Sequence, residues 1–123
     1  MKVKIDTREK FHVITLQEPH LAANMSEQMD KLLLPLLETD VKNVIVNLQD
    51  IDDLDKAAAS HLLKIQHHFY EVNSSFVICS LSAPVKRLLD DADLLDQFNH
   101  TPTESEAMDI VQMEEIEREL GNI

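Results

Sequence analysis

The sequence predicts an α/β protein in which a mixed sheet of four to five strands packs against about four helices. Three observations support this fold class. Apolar and charged residues alternate in the first sixteen residues, as in a β-hairpin. Two short β-rich runs, 44–48 and 76–79, are typical of strands buried on both faces. Longer segments repeat apolar residues at helical spacing, and strands that alternate with helices indicate parallel pairing.

The hairpin is predicted from the apolar positions on either side of residues 8–10. Val3 and Ile5 precede this charged turn, and Phe11 and Val13 follow it. Period-two alternation on both sides of a short polar segment is the pattern of two antiparallel strands. We therefore expect the first two strands of the sheet here.

Two helices are predicted in the first two thirds of the chain. Residues 25–37 have apolar residues at helical spacing, but Pro35 lacks the N–H that a helix interior needs, so we expect a kink or an early end near Leu34. The second helix spans 57–72 and should end at Asn73, a residue that tolerates a left-handed backbone. Its predicted core stripe is Ala58, Leu62, Ile65, Phe69 and Val72.

Two further helices are predicted towards the end of the chain. Pro84 suits a first helical turn, with Ser82 as its cap. Thr103 has the spacing of a capping box and opens the last helix. A short edge strand is expected near Phe98, between these helices. The positions predicted to face the core from the last helix are Ala107, Ile110, Met113 and Leu120.

Composition excludes several classes of function. The chain has 123 residues, which suits one domain over 1–123, and a net charge of −12, which disfavours nucleic acid and anionic membrane partners. The sequence contains a single glycine, Gly121, which excludes a glycine-rich phosphate loop. Turns elsewhere must therefore use Asn, Asp or Ser. The first residues do not resemble a secretory signal, and no apolar run approaches the roughly 20 residues that span a bilayer. We therefore expect a cytoplasmic protein.

An acidic cluster before the second helix suggests a divalent cation site or helix capping. An EF-hand loop would need a ligand at the position of Leu54, a glycine and a later glutamate, none of which is present. We therefore expect no metal. Asp55 is well placed to cap the helix. The cluster consists of Asp50, Asp52, Asp53 and Asp55.

The other chemically active residue types point to structure rather than catalysis. His61 and His68 lie two turns apart on one helix, too far for one metal ion, and indicate a solvated face. Cys79 lies in an apolar strand, where a thiol is inert packing. No nucleophile, base and oxyanion donor converge, so we predict neither an enzyme nor a cofactor. The methionines predicted to fill the core are Met25, Met29, Met108 and Met113.

Three motifs follow one another between Asn43 and Leu95. The strand at 44–48 runs into a turn that ends in Asp55, and the helix from Ala57 is followed by the strand at 76–79. The third motif is Ser82-Ala83-Pro84-Val85-Lys86-Arg87-Leu88-Leu89, followed by Leu94-Leu95-Asp96-Gln97-Phe98. This order resembles the STAS domain family, named for sulfate transporters and anti-sigma factor antagonists. The resemblance extends more loosely across nearly the whole chain.

The resemblance implies a protein-binding function. Anti-sigma factor antagonists of this family bind a partner kinase through a loop and helix start that read Asp-Ser-Ser-Gly, and phosphorylation of the second Ser breaks the complex. The matching positions here are Asp55, Lys56, Ala57 and Ala58. Ala57 has no hydroxyl, so release by phosphate at this position cannot operate. Ser60, one turn later, is an alternative acceptor.

We therefore expect a bacterial regulatory module that binds an anti-sigma factor or serine kinase-like protein without the usual phosphoacceptor. A second hypothesis is a STAS accessory subunit that docks on the ATPase of an ABC-type lipid-transport complex. A third is a STAS domain that binds a small ligand or nucleotide, which the absence of phosphate loops disfavours. The expected partner-binding residues are Leu54, Asp55, Lys56, Ala57, Ser60, His61 and Lys64.

Overall fold

A computed structural model describes residues 1–121 of the chain. The strands are β1 (Val3–Thr7), β2 (Phe11–Leu16), β3 (His20–Leu21), β4 (Asn43–Asn47), β5 (Asp53–Leu54), β6 (Phe76–Cys79) and β7 (His100–Thr101). The helices are α1 (Ser26–Leu33), α2 (Lys56–Glu71), α3 (Ala83–Asp91) and α4 (Glu104–Gly121). Within residues 1–121, each helix falls short of the length or the apolar character that crossing a bilayer would require.

Five of the strands form one mixed sheet in the order β1-β2-β4-β6-β7. Strands β1 and β2 are antiparallel, with Val3 opposite Leu16 and Thr7 opposite His12. The other neighbours are parallel. The predicted fold class and its N-terminal hairpin are therefore confirmed.

A second, two-stranded parallel sheet of β3 and β5 was not expected from the sequence. Each of its strands has only two residues, too few to produce a periodic pattern. The predicted edge strand near Phe98 lies two residues later, as β7, and Phe98 itself is buried in the preceding loop.

The helix boundaries agree with the local signals in the sequence. Helix α1 ends at Leu33 and continues as a 3-10 turn, Leu34–Glu38, because Pro35 has no N–H to extend the α-helical ladder. The Oγ of Ser82 accepts a hydrogen bond of 3.4 Å from the N–H of Val85 at the start of α3. The predicted early end and the predicted cap are both confirmed.

Turns without glycine are made by the residue types expected. Asn73, Ser80 and Asp93 have positive φ values of 58°, 60° and 57°. This left-handed region is unfavourable for most side chains, and Asn and Asp tolerate it best. Asn73 follows α2 at the place where the sequence predicts its end.

Helices cover the sheet unequally on its two faces. On one face, Ile14, Val46 and Ile78 pack against side chains of α1, α2 and α3. The rings of Phe69 in α2 and Phe76 in β6 are 5.2 Å apart between centroids. On the other face, α4 alone supplies the helical cover for the side chains Phe11, Val13, Ile45, Val77 and Cys79.

Helix α4 is held to the sheet by the asparagines at the two ends of β4. Asn43 Nδ2 donates to Oε1 of Glu115 at 2.8 Å, and Asn43 Oδ1 accepts from Nη2 of Arg118 at 3.0 Å. At the other end, Asn47 Nδ2 donates to Oε1 of Glu104 at 3.1 Å. These bonds satisfy buried polar groups and fix the helix along its length.

Tyr70 in α2 makes a further contact with α4. Its hydroxyl donates to Oε1 of Glu114 at 2.7 Å. Burial, together with the adjacent Glu114 carboxylate, raises the pKa of Tyr70 to about 12. The phenol therefore remains protonated, and able to donate, throughout the neutral range.

Three predicted core positions are wrong. Met113 and Leu120 point away from the sheet, because the face of α4 that contacts it is formed by Ala107 and Val111, with Ile110 partly buried beside them. The assignment of Met113 as a core methionine fails for the same reason.

The third wrong position is Val72. It lies one residue beyond α2 and is 45% exposed, whereas Ala58, Leu62, Ile65 and Phe69 are buried as predicted. The chain leaves the helix at this point and turns through Asn73, so the stripe ends before Val72 reaches the core.

The thiol of Cys79 should be unreactive in the folded protein. It is fully buried in β6, and burial raises its pKa to about 11. We expect a thiol reagent at pH 8 to label the native chain negligibly and the urea-unfolded chain stoichiometrically, as measured by mass spectrometry. Rapid labelling of the native chain would contradict the buried position.

Glu115→Gln should lower the free energy of unfolding by about 1 kcal/mol at pH 7. Hydrogen bonds from Asn43 and Arg118 hold the pKa of Glu115 below its usual 4.5. A lowered folded pKa stabilises the protein above pH 4.5, and this contribution is lost as pH falls through the folded value. Urea unfolding from pH 7 into the acid range should show the difference from wild type disappearing. Exposed Glu117→Gln is the control and should stay within about 0.5 kcal/mol.

Candidate functional site

The residues expected to bind a partner lie together at the start of α2. Their set, here called the α2-start surface, is Leu54, Asp55, Lys56, Ala57, Ser60, His61 and Lys64. Ala57, Ser60 and Lys64 are spaced by three and four residues, so they share one face of the helix. Lys56, Ala57 and Lys64 are exposed, whereas Ser60 and His61 are half-buried.

The loop before α2 is held by the small sheet of β3 and β5. The N–H of Asp52 donates to the carbonyl of Pro19 at 2.9 Å, and the N–H of Asp55 donates to the carbonyl of Leu21 at 2.9 Å. Leu54 is buried between the loop and the helices. The position of the α2 start is therefore set by backbone pairing with a segment more than thirty residues earlier in the chain.

Asp55 occupies the cap position of α2, but its carboxylate does not cap that helix. The prediction of side-chain capping is wrong: Oδ2 accepts a hydrogen bond of 2.8 Å from the N–H of Ala23. Oδ1 lies 3.3 Å from Nε2 of His20, whose Nδ1 lies 2.9 Å from Oδ2 of Asp53. His20 thus links two carboxylates of the acidic cluster across the small sheet.

His61 ties α2 to α1. Its Nε2 lies 2.8 Å from Oδ1 of Asp30, and its side chain is half-buried. The expectation of a solvated histidine face therefore holds for His68, which is exposed like its neighbour His67, but not for His61. Sequence spacing could not reveal this pair, because Asp30 lies on another helix.

A groove between α2 and α3 adjoins the α2-start surface. Leu54, Lys56 and Ala59 line one side, and Leu88 and Ala92 line the other. Leu88 is 40% exposed, so its side chain is accessible at the edge of this groove. Leu88 does not stand out in the sequence as a candidate contact, since its place beside Lys56 depends on how the two helices pack.

The side chains around the α2 start are already paired within the fold or exposed to solvent. Within residues 1–121, there is no group of three His, Cys, Asp or Glu side chains close enough together to hold a metal ion. Ser60 and His61 are neighbours on the helix, and His61 Nε2 already contacts Asp30. The region consists of a mixed-charge helix start, held by hydrogen bonds and strand pairing, beside a small apolar groove.

Asp55→Ala should destabilise the fold by about 1 kcal/mol, because the Ala23 N–H loses its acceptor and His20 loses one carboxylate. The matched control is Asp52→Ala, which removes an exposed carboxylate three residues before the α2 cap position. It should change the free energy of unfolding by less than about 0.5 kcal/mol. Urea titrations at equal m-value measure both variants. Equal effects would mean that the Asp55 contacts do not stabilise the loop.

Comparison with known proteins agrees with this fold. The family model described as the STAS domain matches residues 2–107. A putative anti-sigma factor antagonist from Thermotoga maritima superposes with a TM-score of 0.74 at 19% identity, over 89% of this chain and 94% of that one.

Two further solved structures share the fold. The anti-sigma factor antagonist SpoIIAA of Bacillus, unphosphorylated, gives a TM-score of 0.70 at 19% identity over 90% of this chain and 96% of its own. A murine anion transporter of the solute carrier 26 family gives 0.66 at 14% identity, over 84% of this chain and 18% of the transporter. Because the family model covers most of the sequence and these structures share its architecture, the chain belongs to the STAS domain family.

Proposed function

We propose that this protein is a regulatory module that binds an anti-sigma factor or serine kinase-type protein through the α2-start surface, without a phosphorylation switch at Ala57. The observation that carries the proposal is the exposed first turn of α2. The resemblance to the family matches its phosphoacceptor position to Ala57, which is exposed there, on a helix start held by the β3–β5 pairing. Family membership and the fold shared with anti-sigma factor antagonists support it.

A helix start that is already held in place favours binding, because it loses little conformational entropy when a partner binds. The β3–β5 pairing holds the loop, and the His61 contact with Asp30 holds the helix. Ordering an interface costs roughly 0.5–1.5 kcal/mol for each mobile side chain that becomes fixed. A preformed helix start therefore binds a partner with less entropic opposition than a mobile loop would.

The distribution of groups on this surface also resembles that of a protein interface. Exposed Leu88 and the apolar groove next to it can supply a desolvated centre, and Lys56, Lys64 and Asp53 supply charge around it. Protein interfaces commonly combine an apolar centre with a polar rim. The positive groups on an otherwise acidic chain give this surface its own electrostatic character.

A second candidate is an accessory subunit that docks on a transporter ATPase. The same observation at Ala57 favours it, because a subunit that stays bound needs no residue whose phosphorylation releases it. The two candidates use the same surface and differ in the partner. Identifying the captured protein as a serine kinase-type protein or as an ATP-binding cassette protein separates them.

Ala57→Asp should weaken capture of the partner at least about tenfold, because it places a charge that must be desolvated in the centre of the surface. The measurement is a quantitative affinity pulldown from lysate of the source cells, followed by titration with the purified partner. Ser105→Asp is the matched control. It adds the same charge to the exposed second residue of α4, on the other side of the sheet.

Capture that is equal for wild type, Ala57→Asp and Ser105→Asp would overturn the assignment of the surface. Loss in Ala57→Asp alone, with a kinase-type partner, would support the first candidate. Loss of capture in Ala57→Asp alone, when the captured partner is an ATP-binding cassette protein, would support the second candidate instead.

A further inference from the structure

Helix α4 carries a second apolar stripe that the sheet does not cover. Met113, Ile116 and Leu120 are 59%, 55% and 63% exposed. They recur at intervals of three and four residues, so they form one continuous row on the helix. Isolated exposed apolar residues are common on proteins, but a row of three large ones along one helix face is not.

The row lies on the side of α4 that faces away from the sheet. Ala107 and Val111 form the apolar contact with the sheet, and Arg118 is held beside them by Asn43 and Ser75. At 100° per residue, Ile116 lies about 160° around the helix from Arg118. The apolar row is therefore turned towards solvent by the same bonds that anchor the helix.

The spacing matches the seam of a two-stranded coiled coil. With Met113 and Leu120 at a positions, Ile116 falls at d, which is the arrangement that packs against one further helix. The flanking e and g positions are then Gln112, Glu117 and Glu119, all exposed. Residues at e and g face those of the opposing helix and determine its charge.

We propose that this face of α4 binds an amphipathic helix with basic flanking residues on a partner protein. The apolar row would pack against the a and d residues of that helix, and Glu117 and Glu119 would face its Lys or Arg side chains. Charge complementarity is the reason for assigning a basic helix, because the seam is flanked by two glutamates and a neutral residue.

The same charges disfavour two other occupants, an antiparallel second copy and an anionic membrane. A second copy packed antiparallel would place Glu117 against Glu117 and Glu119 against Glu119, which costs energy through like-charge repulsion. An anionic membrane surface would be repelled by these residues and by the net charge of −12. The basic helix is the occupant that these flanks attract.

This surface is independent of the α2-start surface. Helix α4 covers one face of the sheet, and α1, α2 and α3 cover the other. A partner on α4 therefore leaves Ala57 and Leu88 accessible. Failure of either proposal leaves the other intact.

The experiment uses the full chain and a labelled three-heptad peptide with Leu at a and d and Lys at e and g. Fluorescence anisotropy should show binding that weakens as salt is raised, and a peptide with Glu at e and g should bind at least about tenfold more weakly. Met113→Ser combined with Ile116→Ser should weaken binding of the basic peptide at least about tenfold. Glu117→Lys with Glu119→Lys should weaken it as well, without altering the apolar row.

Ile5→Ser is the control, since it removes an exposed apolar side chain from β1, opposite Ile14 on the face of the sheet that α1, α2 and α3 cover. It should leave peptide affinity unchanged. Equal binding of the two peptides, or unchanged affinity in the serine double variant, would overturn the proposal. Dimers in sedimentation that disappear in Ile116→Ser would assign the row to a second copy instead. Binding to vesicles of anionic lipid that disappears in the same variant would assign it to a membrane.

Discussion

Asn43 and Asn47 stand at the two ends of β4, and their side chains hold α4 against a strand in which every residue is buried. A central parallel strand needs cover on both faces, because its apolar side chains point alternately to each. Three helices cover one face, but α4 covers the other with only two fully buried apolar residues, Ala107 and Val111. The hydrogen bonds made by Asn43 and Asn47 therefore determine where α4 lies and which of its sides is turned to solvent.

That arrangement gives the two faces of the sheet different surfaces. On the side of α2, backbone pairing between β3 and β5 and the contact of His61 with Asp30 hold a mixed-charge helix start in place. On the side of α4, an apolar row is bordered by carboxylates. The first surface combines positive and negative side chains on a helix start held by hydrogen bonds, and the second combines an apolar row with negative charge. Under the two proposals, the partners would differ in chemistry and would not compete for the same residues.

The absence of a hydroxyl at Ala57 changes how binding at α2 can be controlled. A phosphate adds about −1.5 to −2 charges, enough to disrupt an interface at a helix start. A methyl group at the same place is compatible with a buried contact and offers no reversible change of charge. Binding through this surface would then be governed by the concentrations of the partners.

The sequence by itself determined the order of the main strands and helices, the hairpin, the end of α1 at Pro35 and the use of Asn and Asp in turns. These follow from periodicity and from the backbone preferences of single residues, which are local properties. Only the tertiary structure decided the β3–β5 pairing, the contacts of Asp55 and His61, and the outward direction of Met113 and Leu120. A helix with apolar residues on two sides does not indicate which side packs, because that depends on bonds to Asn43 and Asn47, more than fifty residues away in the chain.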